Sequence, residues 1–142
     1  MSLLPVSLVV WDFDWSLVNE NSDVWIFKQL GGEETNAIMA DSSIQWTRRC
    51  DKALLHLQLR DNVTVQALRA AFVNLPCFES HVRVIHELHK AGVRQAIVSD
   101  ANTVFIDAFI TQRHIKPCFS HVVSNAVSAQ PLQDAEVALA EM

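Results

Sequence analysis

The stretch from Val6 to Trp11, rich in β-branched residues, stops abruptly at two acids, Asp12 and Asp14. A run this short and this apolar predicts a strand buried on both faces, so the chain must build a sheet interior around it. A second run, Val93 to Val98, is entered through Gly92, and a weaker third covers Phe119 to Val123. Helical periodicity separates each run from the next. Alternation of that kind predicts an α/β protein with a partial Rossmann-like parallel sheet of about three strands.

The helices carry clearer signals. Trp46, Cys50, Ala53, Leu54 and Leu57 form one apolar stripe, and Val65, Leu68 and Phe72 a second, stopped by Leu75-Pro76. Val82, Ile85 and Leu88 form a third, with Ser80 as the expected N-cap and Gly92 as the stop. Phe105, Ile106, Phe109 and Ile110 make a fourth, capped by Asn102 or Thr103. The first and second runs lie far further apart than a simple crossover needs. The surplus predicts a helical cap subdomain, residues 20–76, inserted into a core made of 1–19 and 77–142. Ala129 to Met142 reads as a small helix or a frayed end.

Composition removes whole classes of function. The formal net charge of -5, with no basic run, gives no footing for nucleic acid or anionic lipid. No apolar stretch approaches the roughly 18 residues of a membrane span. The N-terminus lacks the basic region of a secretory signal, and 3 irregularly spaced Cys make no disulfide framework, which predicts a cytoplasmic protein.

Asp12 and Asp14, two residues apart beyond a strand, can face one crevice when the chain turns there. Holding two anions so close calls for a cation, and hard oxygen donors select magnesium. Such a pair can also divide labour between nucleophile and general acid/base. A calcium loop fits poorly, because Leu17 stands where glycine is needed and Asp23 where glutamate is needed. An ordinary solvated turn remains an alternative. The second run ends in Ser99-Asp100-Ala101-Asn102, where a hydroxyl at a strand end beside a helix start can bind a phosphoryl oxygen. Simple capping of the following helix is the competing reading.

Asp12-Phe13-Asp14-Trp15-Ser16, with the strand-terminal Ser99, resembles the first two motifs of the haloacid dehalogenase superfamily of phosphatases. Glu20-Asn21-Ser22-Asp23-Val24-Trp25, Leu30-Gly31 and Ser99-Asp100-Ala101-Asn102-Thr103 narrow the resemblance to its phosphoethanolamine/phosphocholine phosphatase subfamily. The resemblance runs from about Leu8 to Asn125. It implies a small phosphomonoester substrate: phosphoethanolamine or phosphocholine first, pyridoxal phosphate or pyrophosphate behind. It further implies that Asp12 attacks phosphorus to form an aspartyl-phosphate, and that Asp14 serves as general acid and then base. Magnesium would bind the Asp12 carboxylate and the Asp14 carbonyl, and Ser99 the phosphoryl group. Asp100 and Asn102 would lie near the site entrance, with Glu20 and Asp23 at the base of the cap, where acids suit a cationic head.

The family's third-motif lysine and its fourth motif, G-D-x-x-x-D, have no counterpart after Asn125, and Lys116 precedes the third run. That pattern predicts a truncated member. Val6 to Trp11 would then lie at an exposed edge prone to self-association. A catalytically silent homologue acting as a binding module is the alternative function. His81, His86 and His89 with Cys77 suggest a polar helix face rather than a zinc site, Cys50 and Cys118 suggest packing, Trp46 suggests cap core, and Arg48, Arg49 and Lys52 a solvated face.

Overall fold

The computed structural model describes residues 5–125. Strand β1 is Leu8–Trp11, β2 is Arg94–Asn102 and β3 is His121–Asn125, paired in parallel in the order β1-β2-β3. Trp11 stands opposite Ile97, and Ile97 opposite Val122. Between β1 and β2 come α1 (Ser22–Leu30), α2 (Glu33–Ala40), α3 (Trp46–Leu59), α4 (Val65–Ala71) and α5 (Glu79–Lys90); α6 (Thr103–Gln112) joins β2 to β3. The α/β class with a three-stranded parallel sheet is therefore the one the alternating pattern requires. Among the described residues no helix is long and apolar enough to cross a membrane.

Two compact units divide the described chain: 5–22 with 72–125, and Asp23–Ala71. In the first, Phe13, Phe105, Phe109, Ile97, Ile106 and Ile110 are all essentially fully buried. Each such side chain contributes about 1.5–3 kcal/mol of transfer free energy. The Phe13 and Phe109 rings meet edge-on at 5.6 Å. Val18 forms an isolated antiparallel bridge with Cys77, and Asn19 N–H donates to the Pro76 carbonyl at 2.8 Å, so the chain leaves and re-enters this unit at one point.

Gly92 ends α5 as its position suggests. Its φ of +73° is open to glycine, and the Gly92 and Val93 N–H groups close back on His89 and Leu88. Asn102, rather than Thr103, caps α6, its side-chain oxygen accepting from Val104 N–H at 2.8 Å.

In the second unit the α2–α3 pair is joined by a polar cluster. Asp61 accepts from the Thr35 hydroxyl at 2.6 Å and from Gly32 N–H at 3.0 Å. His56, 9% exposed, sits 2.7 Å from the Thr35 hydroxyl and 3.0 Å from a Glu34 oxygen. These bonds hold the Asp61 carboxyl below the usual carboxylate range, the Thr35 hydroxyl having the largest effect.

Several expectations need correction. β1 is not buried on both faces: Leu8 is 46% and Val10 56% exposed on the face away from buried Gln95 and Ile97. Among the described residues only β2 pairs with it, so it lies at the expected edge. The second strand runs four residues past Val98, and the third is displaced to His121–Asn125. α5 takes Phe78 as its N-cap with no side-chain bond, leaving Ser80 inside the first turn. Trp46 and Val65 are exposed rather than core, since each opens its helix and its ring or methyls point beyond the buried stripe. Trp46 packs its ring against the Arg49 guanidinium instead, and Arg49 also donates to the Met39 carbonyl, so Arg49 is more than a solvated charge. Cys118 is buried as expected, Cys50 only half-buried. The predicted C-terminal helix lies outside the described residues.

Candidate active site

The site is built on the turn that follows β1. Asp12 leaves the strand in an extended conformation, and its Oδ1 accepts from Phe13 N–H at 2.6 Å. Residues Phe13–Leu17 then form one wide helical turn, broken inside by Asp14 and by Trp15 at φ +55°. The buried Phe13 and Leu17 anchor this turn at both ends, leaving Asp12 exposed before it and Asp14 half-buried within it. Trp15 N–H donates to the Glu20 carbonyl at 3.2 Å and fixes the return of the chain. Asp14 Oδ1 accepts from Ser22 N–H at 2.9 Å, at the first turn of α1.

Parallel registry of Trp11 with Ile97 brings the end of β1 beside Val98 and Ser99. Asp12 and Asp100 are thereby each within electrostatic reach of Asp14. Burial, above all, pushes the Asp14 carboxyl up from its ordinary value. The Ser22 backbone N–H, and after it the Ser22 side chain, oppose that rise, while the Asp100 and Asp12 charges add to it. A raised carboxyl beside an exposed one is the division expected of an acid and a nucleophile.

Ser99 is half-buried, and its Oγ accepts from Ala101 N–H at 3.2 Å. It lies inside β2, where the register shift between Val98 and Asn102 bends the strand rather than ending it. Asp100 is exposed, and its carbonyl receives the Asn125 amide at 2.5 Å. Asn102 is 8% exposed with its oxygen committed to the α6 cap. Glu20 folds back onto Asn21 N–H at 2.9 Å. Asp23 belongs to the other unit, where its charge lies beside Cys50 and helps, after burial, to push that thiol up to about 12.

The structure thus sets Asp12 and Asp100 within electrostatic reach of Asp14 and puts Ser99 on the adjoining strand; it holds Asn102 as a cap. Ser22 was absent from the candidate residues, although its place eight residues after Asp14, at a helix start, is a readable signal.

The donor chemistry fits a hydrated magnesium ion. The available atoms are hard carboxylate and carbonyl oxygens, and the mutual repulsion felt by Asp14 is what a divalent cation relieves. Among the described residues, however, no three acids, histidines or cysteines converge as a ready-made metal site, so most of the coordination shell would be water. The same holds for the helix α5 histidines, where His86 Nδ1 meets only the Cys118 sulfur at 3.8 Å. Lys116 is spent on Asp107 at 2.5 Å, on the surface.

Residues 7–136 match the family model described as "Putative Phosphatase". A thiamine phosphate phosphatase-like protein of Arabidopsis thaliana is 25% identical over 85% of this chain and 49% of its own length. The pyridoxal phosphate phosphatase PHOSPHO2 of Mus musculus is 26% identical over 85% of this chain and 52% of its own. The chain spans about half the length of these curated relatives. Among solved structures, a haloacid dehalogenase family hydrolase from Salmonella enterica serovar Typhi superposes with a TM-score of 0.62 at 14% identity, covering 87% of this chain and 41% of that one. A substrate-bound phosphoserine phosphatase gives 0.59 at 17%, covering 90% and 60%. Both likenesses establish the fold.

Proposed function

We propose, for a chain that belongs to the "Putative Phosphatase" family within the haloacid dehalogenase superfamily, the hydrolysis of small phosphomonoesters by way of an aspartyl-phosphate. The observation that carries this reading is the Asp12–Asp14 pair: one carboxylate exposed at a strand end, the other partly buried with its carboxyl raised.

Phe13 N–H holds Asp12 Oδ1, which leaves Oδ2 to attack phosphorus. As the new O–P bond forms, the bond from phosphorus to the alcohol oxygen breaks, and Asp14 gives that oxygen its proton. The resulting Asp14 carboxylate then takes a proton from the water that attacks phosphorus, releasing inorganic phosphate and restoring Asp12. Asp14's raised carboxyl keeps the proton available to higher pH than a free aspartic acid would. Ser99 Oγ, oriented by Ala101 N–H, can donate its own proton to a phosphoryl oxygen. The Asp12 carboxylate and the Asp14 main-chain carbonyl would hold a magnesium ion, whose charge would offset that of the phosphoryl group. Phosphoethanolamine and phosphocholine are the first candidate substrates, pyridoxal phosphate and pyrophosphate the next. The three cysteines, none of them paired, suit a cytoplasmic protein.

The test is magnesium-dependent phosphate release from phosphoethanolamine. Asp12→Asn should lower turnover by about 10³-fold or more. Turnover that survives the substitution would refute the role of Asp12. A second reading, a silent homologue that only binds, is favoured by one observation: no three metal-binding side chains converge among the described residues. A folded protein that binds phosphocholine without hydrolysing it would establish that second reading.

A further inference from the structure

The helical unit holds a chain of polar groups that the phosphatase reading does not use. It runs from Glu34 through the His56 ring and the Thr35 hydroxyl to Asp61, and it ties α2 to the end of α3. Thr35 is wholly buried and His56 nearly so, which shuts the inner contacts off from water. The outer end is open, for the Glu34 side chain is 84% exposed. Asp61 is seated by Gly32 N–H at 3.0 Å, and a Cβ on Gly32 would come within 2.7 Å of its carboxylate. Among the described residues the ring's charged partners are Glu34 at 3.0 Å and Asp61 at 4.0 Å. Lys52 and Arg60 stand one turn to either side of it on α3, and among the described residues no ion pair reaches it from α1 or α4.

Counting hydrogens fixes how this chain works. Thr35 Oγ1 meets Asp61 at 2.6 Å, His56 Nδ1 meets Thr35 Oγ1 at 2.7 Å, and His56 Nε2 meets Glu34 at 3.0 Å. Each contact needs one proton between its two atoms. Asp61 supplies none, because the Thr35 hydroxyl, above all, holds its carboxyl below the usual range and so keeps it ionised. Glu34, as a carboxylate, supplies none either. Thr35 supplies one, which goes to Asp61. The imidazole must supply the other two, one from each nitrogen, and a neutral ring has only one. We propose that this chain is a proton-operated lock on the α2–α3 pair, closed when His56 carries a proton on both nitrogens. Histidine is the side chain that exchanges its second proton around neutral pH. The proton that leaves is the one on Nε2, at the exposed end, and it passes to water. The bare Nε2 then faces the Glu34 carboxylate as acceptor against acceptor, and that contact opens. Nδ1 keeps its hold on Thr35, and Thr35 on Asp61. The lock does not rest on the phosphatase reading of the acidic turn.

The experiment is hydrogen–deuterium exchange of the α2 amides in the full chain from about pH 5 to 8, with the intrinsic pH dependence of exchange divided out. Wild-type protection of α2 should fall about 2- to 5-fold across that range, and protection of α6, in the other unit, should not follow it. Glu34→Gln puts an amide donor opposite the bare Nε2, so its protection should stay high and flat. Glu34→Ala leaves nothing to close, so its protection should be low and flat. Both substitutions fall on an exposed side chain, so both should fold. At the alkaline end, nitrogen shifts of the His56 ring should report a proton on Nδ1 and none on Nε2. A flat wild-type curve, a slope shared equally by α6, the wild-type slope surviving in either variant, or the opposite tautomer would each overturn the proposal.

Discussion

The two faces of the three-stranded sheet show how unevenly this chain is finished. On one face Gln95 and Ile97 are wholly buried beneath the helices, and Gln95 binds both the Trp11 indole at 3.1 Å and the Ile85 carbonyl of α5 at 2.9 Å. On the other, Leu8, Val10, Val98 and Val123 are each about half exposed, among residues just as apolar. Topology explains the difference. With strands in the order β1-β2-β3, right-handed crossovers carry α5 and α6 to the same side. Parallel sheets are ordinarily covered on both faces, so apolarity alone says that a face wants burial, while connectivity decides whether it gets it.

That contrast can be broken from the covered side first. Phe109→Ala removes a fully buried ring and should cost about 3–5 kcal/mol in chemical denaturation, enough to unfold a marginal domain. Gln95→Leu keeps the volume but strands the Ile85 carbonyl and the Trp11 indole; a loss of about 1–3 kcal/mol is expected. Asp14→Asn should stabilise the protein, and the sign follows from the direction of its shift. Because the folded-state carboxyl is raised by burial and by its acidic neighbours, wild-type stability is fullest below the unfolded value and falls as pH rises through the folded one. The variant lacks that fall, so its thermal midpoint should exceed the wild type's at neutral pH and approach it in acid. Val98→Thr, on the bare face, should change stability by only about 0.5 kcal/mol. Val10→Lys should do as little to stability while reducing self-association of concentrated protein in sedimentation, because it charges an open apolar edge. A cost at Val98 matching that at Phe109 would mean the second face is covered in solution.

Legibility in the sequence followed the range of the interactions. The Asp12–Asp14 turn, the glycine stop at Gly92 and the Asn102 cap were readable, because each depends on a few neighbouring residues. Trp46 and Val65 were misjudged because periodicity gives a face but not how far along the helix burial reaches. The Thr35–His56–Asp61 cluster was invisible, since its members lie 21 and 26 residues apart and meet only when α2 and α3 pair.

By itself the sequence determined the α/β alternation, the acidic turn and the hydroxyl-bearing second strand, all consequences of local pattern and turn chemistry. Only the tertiary structure decided that one face of β1 would stay open, that β2 would carry Ser99 through a bend, and that Asp100 would come within electrostatic reach of Asp14. Strand order and register are set by which long-range pairings bury the most apolar surface. No short stretch of residues contains that comparison.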